Sequence, residues 1–223
     1  MFFRDLSKTG TRNFTDLQYI MFRIDLHVHS ALGGDSLIRP EEVVGRARQA
    51  GLDAVCITEH HSYDLSRPFE EISRSAGFPI LRGMEYRAAE GHLLVYGVRA
   101  GKGDLAPGLP MQRAVDWVSA RGGAAVPAHP FQKGLVGSAL GMNVLKLKNI
   151  PAIETLNGSL LMAENRQAQE AAREMSLSGI GGSDAHGLHV LGRAYTVFPC
   201  PVLSAAELVR ALYAGGYWPE EQI

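Results

Sequence analysis

The sequence predicts an α/β protein, a distorted (β/α)7 TIM-like barrel in a single domain. Two observations lead to this prediction. Apolar runs of strand length alternate with helical segments along the chain, which is typical of a parallel sheet. About seven such strand–helix units fit into roughly 200 residues, which favours a small or distorted barrel. An open doubly wound sheet is the alternative.

End signals set the boundaries of the predicted elements. Pro40 and two following glutamates begin a helix that ends before Gly51, and Gly122 and Gly123 end another. Ser204 is a typical N-cap for the last helix. Strands are predicted at 24–30, 52–58, 79–85, 92–98, 124–128, 152–156, 179–183 and 194–198, and helices at 41–50, 111–121, 160–176 and 205–214.

Composition and charge exclude several kinds of partner. The 223 residues are 46% apolar and carry a net charge of −1, so no strong attraction to nucleic acid or to a membrane surface is expected. No apolar run reaches the length of a membrane span. The aromatic residues form no stripe on which an extended nucleic acid could stack. Cys56 and Cys200 are the only cysteines, which fits a reducing cytoplasm.

Residues 1–20 are predicted to be an N-terminal extension or arm, followed by a domain at 21–223. They lack the apolar core of a signal peptide and have no clear period. Met21 directly precedes the first strand.

The first strand contains two histidines on one face. Its residues alternate with period two, so His27 and His29 share a face with Asp25. The two imidazoles are about 6–7 Å apart along the backbone and can converge on one metal ion. Asp25 lies one layer deeper, which favours a hydrogen-bonding role over metal binding.

Histidines and carboxylates recur at the ends of the predicted strands. A barrel gathers the carboxyl ends of its strands at one rim, where active sites lie. Seven of the eight histidines are at or beside such ends, although His92 is near the start of its strand. This pattern predicts a metal site with nine candidate ligands: His27, His29, Asp35, His60, Glu85, His92, His129, Asp184 and His186.

The composition of this ligand set limits the metal and the substrate. Imidazole with carboxylate suits zinc, manganese or iron, and nine ligands serve two or three divalent ions. Three carboxylates with neutral histidines carry −3, so three divalent ions would bring the pocket to about +3. Such a pocket favours an anion such as a phosphate ester, attacked by a metal-bound hydroxide. No Gly-x-Ser-x-Gly motif, P-loop or dinucleotide fingerprint suggests another chemistry.

Five motifs resemble, in order, those of the polymerase and histidinol phosphatase (PHP) superfamily. The resemblance extends from Phe22 to Phe198 and implies a distorted barrel of seven strand–helix units, a trinuclear centre and phosphate ester hydrolysis. The motifs are Asp25-Leu26-His27-Val28-His29, Thr58-Glu59-His60, Gly83-Met84-Glu85 followed by His92, Ala128-His129-Pro130, and Ser183-Asp184-Ala185-His186.

The resemblance also implies how the ligands are shared. The first metal, with its catalytic water, would be held by His27, His29, Glu85 and Asp184. Glu85 would bridge to a second metal held by His92 and His129, and the third site would consist of Asp35, His60 and His186. Two positions depart from the family: Glu59 replaces a more common aspartate, and Asp35 stands where some members have histidine.

Other polar residues near the rim have lesser predicted roles. Contact with the substrate phosphate is predicted for Arg193, Lys133 and Arg67, and substrate choice for loops 62–74 and 132–148. His61 and His189 are not expected to be ligands, and His189 is expected to face solvent. Glu154 and Asn157 are expected to line the pocket.

The predicted function is metal-dependent hydrolysis of a small phosphate ester by a cytoplasmic enzyme. Candidate substrates are a nucleoside monophosphate, histidinol phosphate or a short oligonucleotide. One alternative is an amidohydrolase-type metal hydrolase, which also begins with a His-x-His strand. A second is a non-catalytic metal-binding accessory module. The sequence does not specify an oligomeric state.

Overall fold

The computed structural model describes residues 21–133 and 140–222. The predicted N-terminal extension or arm at 1–20 lies outside these ranges, and so does part of the predicted specificity loop at 132–148.

Nine strands and five α-helices occupy the described ranges. Most lie within a few residues of their predicted positions. In chain order they are β1 (Phe22–Val28), α1 (Pro40–Gln49), β2 (Ala54–Ile57), α2 (Phe69–Ala76), β3 (Ile80–Arg87), β4 (His92–Tyr96), α3 (Met111–Ser119), β5 (Ala124–Ala128), β6 (Ala152–Asn157), α4 (Met162–Glu174), β7 (Ser178–Gly182), β8 (Ala194–Phe198), α5 (Ala205–Ala214) and β9 (Trp218–Glu221), with short 3-10 helices at Tyr63–Ser66 and Gly141–Lys146.

The strands form a seven-stranded sheet and a separate pair. The order in the larger sheet is β5-β4-β3-β2-β1-β8-β9, and β6 pairs with β7. The chain continuing from β7 lies against the end of β1, where Val28 and Ala185 form a parallel bridge. The backbone N–H of Gly181 also donates to the hydroxyl of Thr196 in β8, at 2.8 Å. The result is a mixed α/β fold with a curled half-barrel sheet.

The sheet is less regular than the predicted parallel barrel. Parallel pairing joins β1, β2 and β3, and also β6 and β7, whereas β4, β5, β8 and β9 pair antiparallel with their neighbours. The turn at 88–91 is too short for a helical crossover, so β3 and β4 form a hairpin. The start of β4 therefore lies at the rim where β3 ends.

Two elements were not predicted from the sequence. Helix α2 overlaps the segment 62–74, which is predicted to be a loop, and continues to Ala76; it has only eight residues. Strand β9 covers the edge strand β8 with four residues that include a proline. Both are short, so each offers few residues from which a period could be recognised.

Apolar packing holds β1, the strand that leads to His27 and His29, in place. Ile24 and Leu26 are fully buried and belong to an apolar cluster that includes Tyr96 and residues of α5. The hydroxyl of Tyr96 donates to the carbonyl of Leu26, at 3.0 Å. Apolar packing on one face of β1 thus fixes the polar residues on the other.

Among the described residues, no helix is both long and apolar enough to cross a membrane.

Candidate metal centre

The first group of candidate ligands lies at the carboxyl end of β1. His27 and His29 are fully buried, and their Nε2 atoms are 3.1 Å apart. Glu85 Oε2 lies 3.3 Å from Nε2 of His27 and 3.1 Å from that of His29. Asp184 Oδ1 lies 3.5 Å from both nitrogens. Four ligands about 2.1 Å from a tetrahedral ion would be about 3.4 Å apart, so this spacing fits one divalent metal ion.

Glu85 connects this group to a second one. Its other oxygen, Oε1, lies 2.8 Å from Nδ1 of His92 and 3.0 Å from Nε2 of His129. Antiparallel pairing of β4 with β3 and with β5 brings these histidines to Glu85, because His92 is opposite both Arg87 and Ala128. A single buried carboxylate therefore faces two separate sets of imidazoles.

A third group lies at the more exposed part of the rim. Oδ2 of Asp35 is 3.0 Å from Nε2 of His60 and 3.5 Å from Nε2 of His186. His29 also offers an atom within 4.8 Å of this group. The side chains of Asp35 and His186 are 38% and 39% exposed, whereas those of the first group are almost fully buried. All nine predicted ligands thus lie in groups that could hold a metal ion.

Two candidate ligands have left-handed backbones. The φ angle is 27° at His129 and 52° at Asp184, values that non-glycine residues rarely adopt. Hydrogen bonds hold both residues: the N–H of Asp184 donates to the carbonyl of His27, and the N–H of His129 donates to Glu154 Oε2, each at 2.7 Å. Such backbone outliers tend to occur at functional sites.

The charges of the cluster are strongly coupled. Burial opposes ionisation of Glu85, but the neighbouring His27 and His129 outweigh it and hold the pKa of Glu85 well below its usual value. Burial also opposes protonation of His129, yet Glu85 and Asp184 raise its pKa to about 9. Burial lowers the pKa of His60 to about 4, so its ring is neutral at pH 7. Protons and metal ions compete for these imidazole nitrogens.

Glu154 lies directly behind the first two groups. Its Oε1 is 2.9 Å from Nδ1 of His27, and its Oε2 accepts from the backbone N–H of His129 and, at 3.1 Å, from Asn157 Nδ2. Asn157 Nδ2 also lies 3.3 Å from Asp184 Oδ2. From the sequence, these two residues are predicted only to line the pocket. Their position at the end of β6, level with the other ligand-bearing strands, was the available signal for a closer role.

Two other buried carboxylates are also hydrogen-bond acceptors near the ligands. Asp25 accepts from the backbone N–H of Ser183 at 2.8 Å and from that of Gly192 at 3.0 Å, and burial raises its pKa to about 6. Glu59 accepts from the backbone N–H and the hydroxyl of Ser30. Both carboxylates are fully buried. Asp25 therefore lies in the layer beneath the ligands.

The three predicted substrate contacts lie in different parts of the structure. Arg193 is exposed just before β8. It lies beside Gly158, because a β-carbon added to Gly158 would be 3.0 Å from the β-carbon of Arg193. Lys133 lines a cleft of about 390 Å³ with Phe131, Met142 and residues of α4. Arg67 is exposed at the end of a 3-10 helix. Within the described ranges, no hydrogen bond or ion pair joins these three residues to a candidate ligand.

The two remaining histidines, His61 and His189, lie outside the groups of candidate ligands. His61 has a left-handed backbone with φ of 57°, and its ring packs edge-on against Tyr86. Its Nδ1 is buried without a hydrogen-bond partner. His189 is exposed beside Leu188 and Arg46.

The donor atoms of the first group are those that a divalent metal ion requires. In the neutral form that could bind a metal, His27 would keep its Nδ1–H donated to Glu154 and direct the lone pair of Nε2 toward His29, Glu85 and Asp184. These neighbours are another imidazole and two carboxylates, which offer mainly lone pairs. A cation between them would satisfy all four residues at once, so the donor set fits a divalent metal ion.

Comparison with known proteins agrees with this geometry. Residues 25–180 match the family model described as PHP domain, and residues 163–216 match the one described as PHP-associated. An uncharacterized protein of Methanocaldococcus jannaschii is 23% identical over 145 residues, which are 60% of this chain and 81% of that protein.

Two of the solved structures that share this fold come from Bacteroides vulgatus and Pyrococcus furiosus. One is a two-domain protein from Bacteroides vulgatus described as containing a predicted PHP-like metal-dependent phosphoesterase (TM-score 0.70, 21% identity, 91% of this chain and 65% of that chain). The other is the lesion-specific endonuclease of Pyrococcus furiosus (TM-score 0.61, 17% identity, 90% of this chain and 58% of that chain). This chain thus spans less than two thirds of either protein.

The fold and the site define an α/β protein with a histidine and carboxylate cluster, able to hold metal ions, at one rim of its sheet. Because the PHP model matches more than half of its residues, the chain belongs to the PHP family.

Proposed function

We propose that this chain is a phosphoesterase that hydrolyses a small phosphate ester at a di- or trinuclear metal centre. The observation that carries the proposal is the position of Glu85. Its Oε2 lies 3.1 Å from His29 Nε2, and its Oε1 lies 3.0 Å from His129 Nε2. A carboxylate that faces two metal positions is suited to a site in which paired ions hold one phosphate group.

Each ligand has an assigned place in this proposal. His27, His29, Glu85 and Asp184 hold the first ion. Glu85 also binds the second, together with His92 and His129, and the third is held by Asp35, His60 and His186. Zinc, manganese and iron all suit this mixture of imidazole and carboxylate.

The chain positions the reacting groups. Metal ions at this centre would supply a water of lowered pKa and Lewis acidity toward phosphate oxygens. Glu154 keeps the proton of His27 on Nδ1, so that Nε2 stays available as a ligand. Since His27 and His29 are buried and Asp35 and His186 are not, the substrate enters from the side of the third group.

The phosphate group of the substrate also needs a cationic partner from the protein. We propose Arg193 for this contact, because antiparallel pairing with β1 places the start of β8 at the ligand rim. Lys133 and Arg67 remain weaker candidates, since Lys133 lines the cleft beside α4 and Arg67 lies beyond β2. We further propose that residues 21–223 act as one phosphoesterase domain.

Candidate substrates are a nucleoside monophosphate, histidinol phosphate and a short oligonucleotide. The fold shared with the Pyrococcus furiosus endonuclease is the reason to keep the oligonucleotide among them. No extended nucleic-acid partner and no membrane partner are proposed.

Phosphate release from a panel of these esters tests the proposal. We expect activity that requires added divalent metal and disappears in His27→Ala and in Asp184→Ala proteins with wild-type circular dichroism. His189→Ala is the matched control, because this histidine is exposed and belongs to none of the groups of candidate ligands. Phosphate release that survives both ligand substitutions would contradict the mechanism. Hydrolysis of cyclic amides in place of phosphate esters would favour the amidohydrolase alternative, and full metal loading without any activity would favour an accessory module.

A further inference from the structure

We infer that Glu59 and Gly33 together set the position of Asp35 and thereby the occupancy of the third metal site. The inference rests on the proposed metal centre and extends it to residues that bind no metal.

Glu59 anchors the beginning of the loop that carries Asp35. Its Oε1 accepts from the backbone N–H of Ser30 at 3.1 Å and from the Ser30 hydroxyl at 2.5 Å. The N–H of Gly33 donates to the carbonyl of Ser30 at 3.0 Å, which closes a turn at 30–33. The carboxylate of Glu59 is fully buried beneath this turn.

Gly33 is the residue that makes room for the other oxygen of Glu59. A β-carbon at position 33 would lie inside contact distance of Glu59 Oε2 and 3.1 Å from Oδ1 of Asp35. Glu59 Oε2 is buried without a hydrogen-bond partner, so packing against the turn is what holds it in place. A long side chain at 59 and a glycine at 33 therefore depend on each other.

The far end of the loop is fixed independently of Glu59. The Ser36 hydroxyl donates to the carbonyl of His29 at 3.1 Å, and the N–H of Leu37 donates to the carbonyl of His186 at 2.9 Å. Asp35 lies between this fixed end and the turn that rests on Glu59. The position of the turn at 30–33 relative to Glu59 thus determines whether Oδ2 of Asp35 stays 3.0 Å from Nε2 of His60.

The length of the side chain at 59 is therefore the decisive property. In Glu59→Asp the shorter side chain would no longer reach Ser30 and would leave an unfilled space next to Gly33. The turn at 30–33 would move into this space, and Asp35 would move away from the third site. In Gly33→Ala the new methyl group would push the turn outward. In the double variant the methyl group would occupy the space left by the shorter acid. Glu59→Gln keeps the length and one acceptor for Ser30, so it should leave Asp35 in place.

Metal content per chain provides the test. Each protein is loaded with zinc, dialysed against increasing chelator concentrations and analysed for bound metal, with its thermal midpoint recorded. We expect Glu59→Asp and Gly33→Ala to weaken the most weakly held ion roughly 10- to 100-fold, while the remaining ions stay bound. Glu59→Gln should match the wild type, and the double variant should recover most of the affinity. Gly103→Ala is the matched control, since an added β-carbon there meets no atom within 4 Å.

The outcomes separate this inference from the proposed function. Full occupancy in Glu59→Asp, a loss in Glu59→Gln, or a double variant no better than the single ones would overturn the role of side-chain length. A wild-type protein that holds two ions and none at Asp35 would also overturn the inference, but would leave a dinuclear phosphoesterase intact. A wild-type protein that binds no metal would overturn the proposed function itself.

Discussion

The carboxylate of Glu154 accepts the Nδ1–H of His27 at 2.9 Å, while its second oxygen accepts the backbone N–H of His129 at 2.7 Å. One buried side chain thus orients residues from two of the candidate metal groups. All of its close partners are donors, which makes Glu154 a hydrogen-bond acceptor behind the centre. Carboxylates in this position fix the tautomer and the direction of an imidazole ligand.

Replacement of Glu154 by glutamine should weaken metal binding. The amide has one acceptor oxygen for the two donors, and its NH2 group would face either His27 or His129 as a second donor. We expect metal affinity to fall roughly 10- to 100-fold, measured by competition with a chelator. The exposed Glu174→Gln on α4 is the control. Unchanged affinity in Glu154→Gln would show that the hydrogen bond to His27 does not matter for metal binding.

Gly182→Ala should disturb the site through the backbone. A β-carbon at Gly182 would lie 2.5 Å from Cβ of His27 and 2.9 Å from its backbone nitrogen, so β7 and β1 would have to separate. We expect lower metal content and a loss of about 1–3 kcal/mol in the free energy of unfolding, as for other overpacked sites. Gly45→Ala in the exposed part of α1 should stabilise the protein by roughly 0.5–1 kcal/mol. Wild-type metal content in Gly182→Ala would contradict the close packing of these strands.

Removal of metal should lower the thermal stability. An ion that binds only the folded chain, present at about 100 times its dissociation constant, contributes about 2.7 kcal/mol. For a chain of this size we expect a chelator to lower the melting temperature by about 5–10 °C, measured by calorimetry. The same chelator added to His27→Ala protein should change the midpoint much less. An equal shift in both proteins would mean that the stabilising ion binds elsewhere.

Tyr96→Phe should affect stability without affecting metal content. The buried hydroxyl donates to the carbonyl of Leu26 at 3.0 Å, and its loss leaves that carbonyl with one partner fewer. We expect a loss of about 1 kcal/mol in the free energy of unfolding by urea denaturation. Tyr213→Phe is a suitable control, because the side chain of Tyr213 is 52% exposed. A large drop in bound metal in Tyr96→Phe would indicate that Leu26 and His27 shift together.

The sequence could predict most of the strands and the residues that meet at the rim. His27 and His29 are recognisable from alternation within one strand, and Asp184 and His186 repeat the same spacing near the end of another. His92 shows the limit of this reasoning, because its position at the start of a strand is explained only when β4 runs antiparallel to β3.

The roles of the carboxylates behind the ligands could not be predicted from the sequence in the same way. Sequence position indicates that Glu154 and Glu59 are near strand ends, but it does not give the direction of a long, flexible side chain. Their roles depend on distant partners: His129 for Glu154, and the turn at Gly33 for Glu59. Helix α2 was missed because its eight residues are fewer than the roughly ten to twelve from which a helix is usually predicted.

The most direct test of the metal centre is a crystal structure of zinc-loaded protein with anomalous diffraction data, together with elemental analysis of the same sample. The account predicts two or three ions per chain, with one ion on each side of Glu85: one beside His27, His29 and Asp184, and one beside His92 and His129. A single ion that leaves one oxygen of Glu85 unbound, or ions bound away from these residues, would contradict it.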